Sequence, residues 1–355
     1  AGTPLPLLHA GKKSGVPACA GTTNALLSPS PQVRELPDDG QGKIRHDSNM
    51  LALLLRRLMT ALPTLLCVIL LSFLLMRVAP GGPFDGERPL DPATRQALQA
   101  SYGLDRPLHD QVLLYVGRLL QGDFGPSLVY RDFTVTELVR QGLPISLTLG
   151  GLALLLALIL GIAAGLFAAA RAGGWLDEAL MLGATLATAL PTFVTGPLLV
   201  LIFGLWAGWL PVSGLGDGEA VHLVLPVLAL ALPVAGAIAK LTRAGLAAAL
   251  TQDHIRTARA RGIAPATILL RHALRPALVP VASYIGPAAA GLLTGAVVIE
   301  TIFALPGLGR YFVQGALNRD YPLVLGVVTL YAGLIILFNL AADLIYCWLD
   351  PRMRG

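Results

Sequence analysis

The chain has 355 residues, of which 55% are hydrophobic and only 13% charged, where an average soluble domain carries roughly a quarter charged residues. A mean hydropathy of +0.68 and the confinement of charge to short clusters exclude an ordinary soluble enzyme, because a charge at the centre of a membrane helix costs roughly 2.5–3.5 kcal/mol. The excess of 26 Lys and Arg over 21 Asp and Glu would suggest nucleic acid in a soluble protein, but here the basic residues flank apolar runs and read as topological charge. No nucleic-acid partner is expected.

Residues 1–49 are rich in Gly, Pro, Ser and Thr, lack hydrophobic periodicity and contain no apolar core long enough for a signal peptide. They are expected to be a disordered N-terminal extension upstream of a natural start at Met50. The membrane domain is expected over 50–355 and contains six uncharged runs: 58–76, 142–170, a helix over about 180–205 followed by a loop, 220–239, 276–299 and 321–342. Each supplies the roughly 20 apolar residues that cross about 30 Å of hydrocarbon. The expected fold class is therefore an all-α membrane protein with six transmembrane helices.

Orientation follows from the short loops. Arg56 and Arg57 precede the first run, Arg171 follows the second, and Arg352 and Arg354 follow the sixth. Between the fourth and fifth lie Lys240, Arg243, Arg256, Arg259, Arg261, Arg271 and Arg275, whereas 206–219 has no Lys or Arg and 300–320 has only Arg310 and Arg319. Both termini and the 240–275 loop are expected in the cytoplasm, and the segment 80–140 outside. Trp206 and Trp209 suit the outer interface, Trp175 and Trp348 the inner one. Gly161, Ala163, Ala164 and Gly165 in the second run, and Ala288 to Gly291 with Gly295 in the fifth, read as close helix–helix contacts. Pro191, Pro197, Pro226 and Pro233 mark places where the third and fourth runs can bend.

The most informative stretch, residues 253–280, reads DHIRTARARGIAPATILLRHALRPALVP and covers most of a basic loop expected over 246–276. HIRTARARG favours a helix, Gly262 permits a sharp turn at its end, and Pro265 suits the first turn of a second short helix. Two short helices projecting from a membrane bundle make a rigid knob through which a cytoplasmic partner can push.

This stretch resembles the coupling (EAA) loop of ABC importer membrane subunits, whose pattern is EAA, three residues, Gly, nine residues, then I-x-L-P. Arg256-Thr257-Ala258 stands where EAA would, and Arg259 and Ala260 follow it. Gly262 matches in spacing, His272 replaces the Ile, Leu274 matches, and Arg275 replaces the Pro, with Pro276 one place later. The peptide and nickel branch of that family reads IRTARAKG followed by RHALRPAL, very close to this chain. The resemblance extends over residues 50–355 through Arg77-Val78-Ala79-Pro80-Gly81-Gly82-Pro83-Phe84, Gly122-Asp123-Phe124-Gly125-Pro126-Ser127, and Glu300-Thr301-Ile302-Phe303 with Leu305-Pro306-Gly307-Leu308-Gly309. Leu317-Asn318-Arg319-Asp320-Tyr321 and Asp350-Pro351-Arg352 continue it. Gly-Pro-Phe and Gly-Pro-Ser are most similar to the B-type membrane subunits of oligopeptide permeases.

The resemblance implies a type I ABC importer permease in the bacterial inner membrane, forming half of a translocation path for oligopeptides. It implies as partners a second homologous permease subunit, two cytoplasmic ATP-binding subunits and a periplasmic or lipid-anchored peptide-binding protein. It assigns ATPase coupling to Arg256, Thr257, Ala258, Arg259, Ala260, Gly262, His272, Leu274 and Pro276. The same complex type serving dipeptides, nickel or another small solute is the alternative, and a stand-alone secondary transporter a more remote one.

Individual residues admit plainer readings. Glu300 is expected as an interfacial carboxylate at the outer end of the fifth run, with gating or substrate contact as the alternative. Asp343 is expected near the inner interface, solvated or paired with Arg. Arg77 is expected to snorkel. His222 and His272 lack neighbouring ligands, and no metal site is expected. The cysteines Cys19, Cys67 and Cys347 form no CxxC or Cys/His pattern. Val112, Tyr115 and Leu119, with Leu98 and Tyr102, give 91–120 helical spacing for docking a binding protein or packing on its own bundle. Gly11-Lys12-Lys13-Ser14 lacks the first Gly of a P-loop. No cofactor is expected in this chain, and ATP with Mg is expected on partner subunits.

Overall fold

Lipid leaves every backbone N–H and C=O to find its partner inside the chain, and the regular structure of the described residues is helical, with one isolated bridge between Pro126 and Thr134. The computed structural model describes residues 41–78, 93, 96, 105–130, 132–216 and 218–349, with backbone alone at 41–56, 77 and 345–349. The chain divides into two units, Ala1–Ile44 and Arg45–Gly355, and the packing below is that of the second. Residues 1–40 of the extension expected over 1–49, together with Leu98 and Tyr102, lie outside the described residues, as do the side chains of Arg77 and Trp348.

Helix α1 spans Gln41–Val78. It begins inside the stretch expected to be irregular, because after Gly42 no Pro or Gly interrupts the run into Leu51–Leu55. A short helix α2, Leu108–Leu119, opens after Pro107. Helix α3, Val135–Ala170, starts well before residue 142. Thr134 and Glu137 form a capping box there: Glu137 N–H donates to Thr134 Oγ1 at 3.2 Å, and Thr134 N–H donates to Glu137 Oε2 at 2.8 Å. Helix α6, Val224–Ala249, follows a turn at Ala220–Leu223 and continues unbroken past Pro233, so Lys240 and Arg243 are helical. Helix α9 is Val279–Ile302, α10 Leu308–Leu317 and α11 Tyr321–Leu349.

The third run departs from the expected single helix over 180–205. It forms α4, Trp175–Ala189, and α5, Thr192–Leu199, continued by wider turns at Val200–Trp206, with a bend of 108° between them. Pro191 supplies the reason. It offers no N–H and drives Leu190 into extended backbone at ψ 122°, so the helical ladder stops and restarts with the Pro191 carbonyl accepting from Val194 and Thr195. Among the described residues five helices are long and apolar enough to cross a membrane, and the bent pair brings the number to six where it is counted as one broken span.

Helices α3 and α6 make the most intimate pairing. A Cβ at Gly161 would stand 2.7 Å from the Ala235 carbonyl oxygen, and one at Gly165 would stand 2.6 Å from that of Ala239. These glycines, four apart, face alanines four apart, the geometry that lets helix backbones touch. Gly236 on another face of α6 lies against the Ala184 carbonyl of α4, and Gly286 of α9 lies against Ala342 of α11. Around these contacts Leu149, Leu225, Leu230, Ile238, Leu292, Ile299 and Phe303 form the main buried cluster. By contrast α1 is mostly uncovered. A groove lined by Arg57, Thr60, Ala61 and Thr64 on one side and by Ile336, Asn339, Leu340 and Asp343 on the other lies between it and α11, and Arg57 Nε lies 2.9 Å from Asp343 Oδ2.

Because Gly165 has no room for a side chain, Gly165→Val should lower stability by about 1–3 kcal/mol through overpacking. Gly151→Ala, where nothing lies within 4 Å, should be close to neutral. Thermal unfolding of the detergent-solubilised variants checks both.

Candidate coupling segment

At one end of the bundle the chain leaves α6 through Leu250–Gln252 and forms α7, Asp253–Ala260. It then forms α8, a continuous short helix made of Pro265–Thr267, a wider section Ile268–Ala273, and Leu274–Ala277. Gly262 closes α7 at φ +75°, with its N–H donating to the Arg259 carbonyl at 3.0 Å and the Ile263 N–H donating to that of Ala258 at 3.3 Å. That paired arrangement requires a left-handed residue just past the helix end, which glycine adopts without a Cβ penalty.

The segment has two faces. Ile255 and Ala258 of α7, with Ile268, Ala273 and Ala277 of α8, are buried against Leu246 and Ala249 of α6 and Ala169 of α3. Gly245 lies directly against the Ala277 backbone. The opposite face exposes Arg256, Thr257, Arg259, Ala260, Arg261, Gly262, Arg271, Arg275 and Pro276, while His272 and Leu274 are half-buried. Of the residues singled out from the sequence, Ala258 therefore faces the bundle, and Arg256, Thr257, Arg259, Ala260, Gly262 and Pro276 face away. Arg256 Nη1 approaches Asp253 Oδ1 at 3.5 Å with both side chains exposed, an ion pair worth little in water.

The other end of the bundle carries two buried carboxylates. Asp320 is fully buried and accepts from the Ser127 hydroxyl, from Leu128 N–H at 3.1 Å, from Val129 N–H at 3.2 Å and from Leu323 N–H at 3.2 Å. It reaches that position because Arg319, at φ 56°, ends α10 with a left-handed turn in which Asp320 N–H donates to the Gly315 carbonyl at 2.8 Å. Tyr130 completes the clasp, its N–H donating to Ser127 Oγ at 2.9 Å and its hydroxyl to Gln314 Oε1. Glu300, expected at an interface, is instead wholly buried. Its Oε2 accepts from Gly309 N–H at 2.7 Å, and Gly307 and Gly309 lie against the carboxylate. The tight return after α9 brings it there, with Leu305 N–H donating to the Glu300 carbonyl at 2.8 Å. Ser146 of α3 anchors the same return by accepting from Leu308 N–H at 2.9 Å.

Comparison with known proteins agrees with this architecture. The family described as the binding-protein-dependent transport system inner membrane component matches residues 161–355. The chain belongs to this family. It is 45% identical over 305 residues to the oligopeptide transport system permease protein OppB of Haemophilus influenzae, covering 86% of this chain and 100% of that one. OppB of Escherichia coli K12 is 46% identical over the same shares. The dipeptide transport system permease protein DppB of Bacillus subtilis is 40% identical over 301 residues, 85% of this chain and 97% of that one. An inward-facing structure of the MetNI methionine ABC transporter shares the fold at a TM-score of 0.52 and 17% identity, covering 60% of this chain and 96% of that one. This chain is thus a permease subunit of a bacterial ABC importer and an inner membrane component.

Within the family's frame, α2 packs on its own bundle: Tyr115 Oη lies 3.2 Å from Thr329 Oγ1 of α11, and burial pushes the Tyr115 phenol up to about 12. Asp343 is paired, with Arg57. His222 Nδ1 lies 3.2 Å from the Gly214 carbonyl, beside Gly216. Sequence reasoning treated Asp320, Ser127 and Glu300 as members of separate motifs, and no short-range pattern joins positions almost two hundred residues apart. The one available signal was a carboxylate immediately before an apolar run.

Asp320→Ala should orphan the Ser127 hydroxyl and three backbone N–H groups, costing on the order of 3 kcal/mol. Limited proteolysis should then cut near 120–132 much faster than in the wild type, while the coupling segment stays as resistant as before.

Proposed function

We propose that this subunit forms half of the translocation path of an ATP-driven importer of oligopeptides. A second homologous permease subunit supplies the other half, and two ATP-binding subunits dock on the α7–α8 segment and bind ATP and Mg. A periplasmic or lipid-anchored peptide-binding protein delivers substrate at the opposite face. In this reading both termini and α7–α8 are cytoplasmic, as the clustering of Arg and Lys favours.

The observation that carries the reading is the two-faced knob. Its apolar side is fixed to α6 and α3, so a push on it displaces helices and not a loose loop. Its outer side presents Arg256, Arg259, Arg261, Arg271 and Arg275 to an acidic partner surface. ATP binding would draw the two motor subunits together and carry the knobs with them, exchanging one opening of the paired bundles for the other. The domain division favoured is a permease domain over 50–355, an external segment over 80–140 and a coupling loop over 246–276. Peptide is preferred as cargo because the relatives matched over 85–86% of this chain, and over 97–100% of their own length, are named for oligopeptide and dipeptide transport.

Uptake of a labelled oligopeptide into proteoliposomes holding the complete complex should require ATP, with excess dipeptide or nickel competing weakly. Uptake that ran on a proton gradient without the ATP-binding subunits would overturn the reading, and strong competition by dipeptide or nickel would reassign the cargo. Removing 253–276 should abolish association of the ATP-binding subunits while membrane insertion persists.

A further inference from the structure

Helix α4 meets the coupling end of the bundle through one charged fork. Arg243 of α6 donates from Nε to Asp177 Oδ1 and from Nη2 to Asp177 Oδ2, both at 2.7 Å. The Asp177 side chain is 3% exposed and that of Arg243 38%. Gly173 N–H, in the turn joining α3 to α4, also donates to Asp177 Oδ2 at 3.0 Å. The carboxylate is thus held from both sides. A guanidinium engaging both oxygens of a carboxylate fixes orientation as well as distance.

We infer that the Asp177–Arg243 pair is a positioning device for transport, carrying displacement of the α7–α8 segment into the bent α4–α5 crossing. The inference rests on the permease reading above and deepens it. Arg243 sits two residues before Gly245, whose contact with the Ala277 backbone, together with the buried Leu246, Ala249, Ile255 and Ile268, joins the end of α6 to the coupling segment. Motion of that segment therefore moves Arg243.

Farther along the same pair of helices the contact changes character. Gly236 presents no side chain to the Ala184 carbonyl, and Lys240 Nζ reaches the Thr188 hydroxyl at 2.8 Å in an exposed position. A glycine surface and an exposed hydroxyl contact let the helices slide. The fork does not. Beyond Thr188 the ladder is broken at Leu190–Pro191, and α5 lies with Gly196 against Ile299, Ile302 and Phe303 at the far end of α9. A helix gripped at its first turn and hinged at its last converts rotation of α6 into a swing of α4 about the proline break.

The test uses the complete complex in proteoliposomes, with ATP hydrolysis and peptide uptake measured on the same preparation. Asp177→Asn and Arg243→Lys each preserve size and one half of the pair. Each should leave hydrolysis within about twofold of wild type but lower uptake per ATP about tenfold, within the range coupling residues command. The double variant should be no worse than either single by more than about twofold, because both remove one interaction. If Asp177→Asn does not assemble, Arg243→Lys, which keeps the charge, carries the test. Uptake and hydrolysis falling in parallel, or an unchanged ratio, overturns the inference while the permease reading stands. A wild-type complex without ATP-dependent uptake overturns both.

Discussion

The structure depends on the contact of two backbones, where Gly161 and Gly165 of α3 meet the carbonyls of Ala235 and Ala239 of α6. In lipid there is little hydrophobic drive to bring helices together, so dispersion and close approach must do it. Once the α3–α6 pair is closed, α6 has its remaining faces free for α4 through Gly236 and for α8 through Gly245. The same helix reaches Leu292, Ala296 and Ile299 of α9 within one buried cluster. Helix α6 therefore acts as an axle: four neighbours are referenced to it, three of them through glycines where a methyl group would not fit.

The two ends of this axle are stabilised by different chemistry. At the basic end, apolar packing of Ile255, Ala258 and Ile268 seats a polar segment without any buried charge in the seat itself. At the opposite end, carboxylates do the fixing. A buried carboxylate is costly unless surrounded by donors, and Asp320 gathers four, three from backbone and one from Ser127. A hydroxyl or amide at 320 would not accept that many bonds from converging N–H groups. Glu300 is less completely served, since its Oε1 has no hydrogen-bond partner, yet it restrains the return between α9 and α10 where glycines at 307 and 309 make space for it. The bundle is thus tied by buried carboxylates at one end, and at the other by the shape of the α7–α8 seat with the Asp177–Arg243 fork beside it.

Much of this was legible in the sequence, and what was not has a physical cause. Hydropathy located the crossings because the cost of charge in lipid is large and local. Gly262 and Pro265 signalled α7 and α8 because a left-handed turn and a helix start each demand particular residues at particular positions. The ends of α3 and α6 ran past the apolar runs, since a Thr134–Glu137 capping box and a helix-favouring basic stretch extend helices into water, where hydropathy has no opinion. The break at Pro191 was visible as a proline, but its 108° angle was not. A proline in lipid kinks or breaks according to which neighbours take up the freed carbonyls, and that is decided by packing. The carboxylate clasp was invisible for a simpler reason: Ser127 and Asp320 lie nearly two hundred residues apart and become partners only after α3 and α11 have docked.

These features fit the proposed role of a transmitting element. A subunit that relays force needs one body that does not deform, one joint that does, and a grip between them. The α3–α6 crossing and the seated α7–α8 segment form the first, because Gly161 and Gly165 are each wedged against a carbonyl and a β-branched side chain, Ile238 and Thr242, and the segment's apolar face is buried. The Leu190–Pro191 break is the second, having no ladder hydrogen bonds across it to bend. Were the grip between α6 and α4 made of apolar side chains alone, rotation could be absorbed by small rotamer changes along the interface. A fork of two 2.7 Å bonds admits no such slack: it either follows or breaks. Placing that fork at the first turn of α4, and the proline break at its last, means that displacement is greatest at the grip and falls toward the proline, about which the helix turns.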